Sequence, residues 1–219
     1  MTTDRTHENN MRDRRHFLSR LAALGAALGL APRAAEAAAT PDTLDTLRTA
    51  ATDDPWVAKL TGKHRVVFHS HMPTEGLAVR WAQTFLDTQK NSYGLTDRDS
   101  SVIVGLNGRS IGWFFGDELW AEQSVIGEVM GAPGARNPQR ELVAALRTRG
   151  VILLACGNSI RASGQRFLPA PSRDNNEART AFAERVRATL LPGVEVVPSM
   201  VVTLQQAQDR GCRYIYAGG

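Results

Sequence analysis

The stretch Gly150–Ser159, G-V-I-L-L-A-C-G-N-S, constrains the fold more than any other part of the chain. Val151 to Ala155 form a short apolar run with a β-branched start. Gly150 precedes it and Gly157-Asn158 follow it. That pattern is a fully buried strand with punctuation at both ends. Cys156 falls where the strand stops. In open parallel α/β sheets, ligands bind beyond the carboxyl ends of the strands, so a thiol there faces a crevice. Gly157 lets the backbone turn sharply, and Asn158 is suited to a local hydrogen bond or to a ligand. The plainer alternative is that Cys156 is a small buried hydrophobe, as most free cysteines are.

Other segments repeat the theme. Arg65 to Ser70, Ser101 to Leu106, Val194 to Val197 and Cys212 to Tyr216 read as strands. Between them lie segments of helical period. Thr74 to Lys90 carries Leu77, Trp81 and Phe85 at spacings of four. Ser110 to Trp120 is aromatic-rich and reads as a short helix, with Trp113, Phe114 and Phe115 as packing groups. Asn137-Pro138 is a helix start, with Asn as cap and Pro at the first position. That helix, Gln139 to Arg149, stops at Gly150. Glu177 to Leu190 and Val201 to Arg210 complete the helices, closed by Pro192-Gly193 and Gly211. Ala121 to Asn137 and Leu168 to Asn176 read as loops. Five strands alternate with helices, and no two strands are placed for a tight hairpin. This predicts an α/β fold with a parallel sheet covered on both faces. No G-x-G-x-x-G follows a strand and no phosphate-loop motif is present, so no cofactor is expected.

The N-terminus reads as a targeting segment. Arg14-Arg15 precede the apolar stretch Leu21 to Ala31, Pro32 breaks it, and Ala35-Glu36-Ala37 and Ala37-Ala38-Ala39 offer small-x-small cleavage sites. The arginine pair resembles a twin-arginine export signal. The apolar run is well short of the ~20 residues a spanning helix needs. Residues 1–39 are therefore expected to be a cleaved signal, with periplasmic or otherwise exported localisation and no stable membrane span. Residues 40–62 are a polar lead-in with Leu44, Leu47 and Ala51 in modest helical spacing, and 63–219 are one domain. Of 26 Lys and Arg and 22 Asp and Glu, six and four fall in the first 39 residues, which leaves 20 against 18. With no basic run interleaved with aromatics, a nucleic-acid partner is not expected.

Cys156 and Cys212 are the two cysteines. An even count in an exported protein suggests a disulfide. Here Cys156 lies at the exit of one strand and Cys212 at the start of another. In a parallel sheet these are opposite edges, ~16 Å apart for a five-residue strand. A disulfide needs Cα atoms within ~7 Å, so the two are expected not to pair with each other.

The ordered set of strand ends resembles a known family. The features are a first strand ending V-V-F-H, a Leu-Asn-Gly turn after the second, and G-V-x-L-L-A-C-G-N in the third. V-V-P-S in the fourth and Tyr-Ile in the last complete the set. Together they are similar to the DsrE/DsrF-like family of small sulfur-handling proteins, over Lys63 to Ala217. The resemblance implies a three-layer α/β/α fold with a five-stranded parallel sheet, and a homo-oligomer. It also implies that Cys156 matches the cysteine able to carry a persulfide in the sulfur relay, handing sulfur between a donor and an acceptor protein. The Ser110–Asn137 segment and the export signal depart from the cytoplasmic members.

The residues around the site fit such chemistry. Sulfur transfer uses a thiolate, and a nearby cation favours it. His69 and His71 leave the first strand at the ligand edge, Asn107 ends the second there, and Asn158 and Arg161 follow Cys156. Each has a plainer reading: His69 as a core histidine, Arg161 as a solvated charge. His69-x-His71 with Met72 lacks a third firm ligand, so no metal is expected. Two functions remain open. One is a thiol-dependent sulfur carrier or sulfurtransferase-like protein. The other is a non-catalytic binding or assembly protein that uses the crevice for a metal, small molecule or partner.

Overall fold

The computed structural model describes residues 54–218. The expected signal at 1–39 and most of the lead-in lie outside the described residues. Five strands form one sheet: β1 (His64–Ser70), β2 (Ser100–Leu106), β3 (Ile152–Cys156), β4 (Val194–Val197) and β5 (Arg213–Tyr216). Their order is β4-β3-β2-β1-β5, and every pairing is parallel. The three-layer α/β/α fold expected from the sequence is present.

The chain steps from β1 through β2 and β3 to β4 in one direction. It then returns to place β5 on the far side of β1. Right-handed crossovers put the helices of the first three steps on one face and the helix of the return on the other. The first face holds α1 (Leu77–Tyr93), α2 (Asp117–Glu122), α3 (Ser124–Val129), α4 (Arg140–Thr148), α5 (Gly157–Arg161), α6 (Gly164–Phe167) and α7 (Asn176–Ala188). The second face holds α8 (Met200–Asp209). Alternation along β1 splits its side chains: Val66 and Phe68 join the larger core under α1, while Val67 joins the smaller core under α8.

Several expectations change in detail. Trp56 and Leu60, assigned by sequence to a lead-in outside the domain, are buried in the α8-side core. The segment 121–137, expected to be a loop, contains α3, because Ile126 and the following Met130 have core positions to fill. The aromatic segment 110–120 is a 3-10 turn over Ser110–Phe114 followed by α2 rather than one helix. Trp113, Phe114 and Phe115 are buried in the larger core, as packing groups should be. Of the stripe Leu77, Trp81 and Phe85, Leu77 and Phe85 are only partly buried against the larger core, with Phe85 edge-on to Phe68 of β1. The fully buried positions of the helix are Ala78, Val79, Ala82 and Leu86. Trp81 is left 36% exposed on the flank of α1.

Candidate functional site

The carboxyl edge of the sheet brings most of the expected residues onto the α8 face. His69 is in register with Gly105 on β2 and with Tyr216 on β5. Cys156 lies at the end of β3, next after Ala155, which pairs with Leu106. Cys156 and Asn107 therefore stand on neighbouring strands at one level, and β1 is two strand spacings away, roughly 10 Å. By alternation, Asn107, His69 and Cys156 all project toward α8.

His69 sits at the centre of a hydrogen-bonded cluster. Its Nε2 is 3.1 Å from Asn107 Oδ1 and its Nδ1 is 2.9 Å from the Tyr214 hydroxyl. The His71 Nδ1 is 3.2 Å from the same Asn107 oxygen. An amide oxygen only accepts, so both rings must donate to it. His69 in its neutral form is then the Nε2–H tautomer, and Tyr214 donates its hydroxyl proton to Nδ1. For a neutral His71, the donating Nδ1–H leaves Nε2 as an acceptor on an exposed ring. The pKa of His69 is lowered, first by burial and also by the charge of His71, against an upward pull from the Asn107 hydrogen bond. Burial likewise raises the Tyr214 phenol above its ordinary value. The Tyr216 ring lies 5.7 Å from that of His69. The sequence reading missed Tyr214 and Tyr216. Their Tyr-x-Tyr spacing in the last strand was the available signal, because period two puts both on one face.

The loops around the cluster are held from several sides. Ser110 donates its hydroxyl to the Ser70 carbonyl (2.6 Å) and is within reach of that of Asn107 (2.7 Å). Gly108 N–H donates to Ser159 Oγ at 2.8 Å, which ties the β2 end to α5. After β1 the chain passes through positive φ at Thr74 (39°), Glu75 (52°) and Gly76 (73°). Side-chain-bearing residues rarely adopt that region, and such strain gathers at functional turns. This turn lies where β1 meets β5, at the topological switch of the sheet, and Thr74 Oγ1 reaches the Ala217 carbonyl at 3.1 Å.

Cys156 is 4% exposed. Its Sγ accepts the Met200 N–H at 3.4 Å, so the sulfur sits at the N-terminus of α8. Among the described residues, no imidazole or guanidinium is hydrogen-bonded to it. His71, expected at the same edge, is hydrogen-bonded to Asn107 instead of to the thiol. Met200 also covers Gly105: a Cβ there would stand 2.8 Å from the Met200 sulfur. Gly157 is needed for closeness, since its Cβ would meet the Val197 carbonyl at 3.0 Å. Rather than a turn, it opens α5. Asn158 and Arg161 are exposed and hydrogen-bond to each other at the surface. Cys212 is buried at the opposite edge, both cysteines are free, and burial raises the Cys212 thiol. Among the described residues no three His, Cys, Asp or Glu side chains gather where a metal would be held, and no helix is long and apolar enough to cross a membrane.

No family model matches the chain, and a search of curated proteins gives no match. Among solved structures, the protein of unknown function MTH1491 from Methanobacterium thermoautotrophicum is similar at 21% identity with a TM-score of 0.45, over 70% of this chain and 99% of that one.

Proposed function

We propose that this is an exported, thiol-dependent sulfur carrier of the DsrE/DsrF-like kind, working through Cys156. The observation that carries the reading is the Met200 N–H on Cys156 Sγ. A helix N-terminus concentrates unpaired N–H groups and a partial positive charge, which suits a thiolate or a terminal persulfide sulfur. In the transfer, the Cys156 thiolate attacks the outer sulfur of a donor persulfide. The donor S–S bond breaks, the donor leaves as a thiolate, and Cys156 holds a persulfide with no net redox change. The first turn of α8 also exposes Val201 and Val202 beside the thiol, at 73% and 51%. That apolar lip suits a donor or acceptor protein. Its proposed location is outside the cytoplasm, reached by the twin-arginine-like segment read from residues 1–39, and a homo-oligomer is its proposed assembly.

The test is intact mass after incubation with inorganic polysulfide. The protein should gain sulfur, Cys156→Ser should abolish the gain, and Cys212→Ser should leave it intact. No gain by the unaltered protein, or a Cys156 inert to alkylation in the folded state, rejects the carrier. The burial of Cys156 favours one second reading, a binding protein that receives a small polar ligand on His71 Nε2, Tyr214 and Tyr216. An inert thiol would move the function there.

A further inference from the structure

Among the described residues, the sheet is covered on its α1 face only as far as β1. Arg213 and Ile215 of β5 are in register with Val66 and Phe68, so they face the α1 layer, yet none of the described helices runs over them. All four residues of β5 are exposed. Parallel strands are ordinarily buried on both faces, so this bare strip is unusual. Between it and the flank of α1 lies a groove of about 470 Å³, within the ~300–1,000 Å³ of small-molecule sites.

The walls of the groove have two characters. Val66, Phe85 and Ile215 form an apolar side. Trp81 continues it, one helical turn from Phe85 on α1 and partly exposed. Lys63, His64, Arg65 and Arg213 bring basic groups to the other end, and no acidic residue lines it. Arg65 is held in place, with Nε on the Gly62 carbonyl at 3.0 Å and a terminal nitrogen on the Arg210 carbonyl at 2.8 Å. Arg213 makes no side-chain hydrogen bond or salt bridge among the described residues. Asp99 is near enough for Lys63 and His64 to lower its carboxyl, but its oxygens are taken up mainly by Thr96.

We propose that this groove binds an amphiphilic organic anion, with its carboxylate between Lys63, His64 and Arg213 and its aliphatic body along Phe85, Val66 and Ile215. Four basic groups in a lining that contains no acid draw the headgroup, and the exposed strand takes the body. The groove opens at the amino ends of the strands, on the opposite edge and face from Cys156. It therefore stands or falls independently of the sulfur-carrier reading.

Sodium decanoate is the probe, titrated below its micelle concentration into the isotopically labelled full chain, with amide shifts followed by NMR. Saturable shifts are expected at Val66, Phe85, Gln89, Arg213 and Ile215, with the Cys156 region unmoved. Arg213→Glu should weaken binding by about tenfold or more, as the loss of a charge-assisted hydrogen bond implies. Decan-1-ol should bind about tenfold less well, and Cys156→Ser should leave binding unchanged. Absence of saturable shifts in the groove overturns the proposal. So does equal affinity of Arg213→Glu, or of decan-1-ol, which would make the groove apolar rather than anion-selective.

Discussion

His69 holds its ring between the Tyr214 phenol, which donates to a neutral Nδ1, and the Asn107 amide oxygen, which accepts from Nε2 and pulls the pKa upward against the larger effect of burial. Protonation would turn Nδ1 into a donor facing the Tyr214 hydroxyl and place charge in a buried position. Its folded pKa therefore lies below the ordinary value of about 6.5. In the pH window between the two values the unfolded chain binds more protons than the folded one. The stability that His69 contributes is complete above about pH 6.5 and is lost as pH falls toward the lowered value. Urea midpoints measured from pH 7.5 down to 5 should fall for the native chain, with a shallower fall for His69→Gln. An unchanged slope in the variant would assign the effect elsewhere. The carboxyls of Asp97 and Asp99 are also lowered, but the stability they contribute is lost only as pH falls below about 4, well separated from the His69 window. The candidate site was legible at this scale in part. His69, His71 and Asn107 were identifiable because they end strands. Whether Cys156 is buried stood open between two readings, because it depends on α8, which arrives from 44 residues further along the chain.

At the scale of elements, Asn137 holds the turn that leads into α4, whose N-cap is Gln139. Its Oδ1 accepts the Gln139 N–H at 2.9 Å, and its Nδ2 donates to the carbonyls of Trp113 and Phe115 at 2.9 and 2.8 Å. One side chain 3% exposed thus fastens the start of α4 to the aromatic turn before α2. Asn137→Ala leaves two buried carbonyls without that donor. At ~1–3 kcal/mol for each unsatisfied group, the loss should be about 3 kcal/mol, seen as a lower urea midpoint at unchanged slope. A loss below about 1 kcal/mol, within the range of a simple exposed cap, would mean that water replaces the amide. Sequence placed the helix start at Asn-Pro with Asn137 as cap; the helix begins at Arg140 with Gln139 as cap, and Asn137 binds the turn before it. The two carbonyls came from residues more than twenty positions away, beyond any local pattern.

For the whole molecule, the α8 face is the thinner layer. Among the described residues one helix covers it, and the segment before β1 adds Trp56 and Leu60. Lys59 extends the connection to the β4 side by pairing with Glu195 at 2.6 Å, although an exposed pair of this kind adds little. Trp56 is 1% exposed, and Trp→Ala in a core typically costs ~3–5 kcal/mol. Trp56→Ala should therefore lower the stability of the entire domain by about that amount in a single cooperative transition. A loss below about 1 kcal/mol, or a separate early transition, would show that the segment is an appendage and that the domain begins at Lys63.

The sequence by itself determined the parallel α/β architecture, because strand and helix periodicities are local and short apolar runs between glycines have few other uses. It also determined that Cys156 ends a strand and that Cys212 leads into another, which starts at Arg213. Tertiary structure decided which side of β1 receives β5, and so where the switch-point cluster forms and which strand is left bare. It decided that Tyr214 and Tyr216 meet His69, and that the N-terminus of α8 rather than a histidine reaches the thiol. These contacts join residues far apart in the chain through crossover direction and register, which no local window of sequence contains.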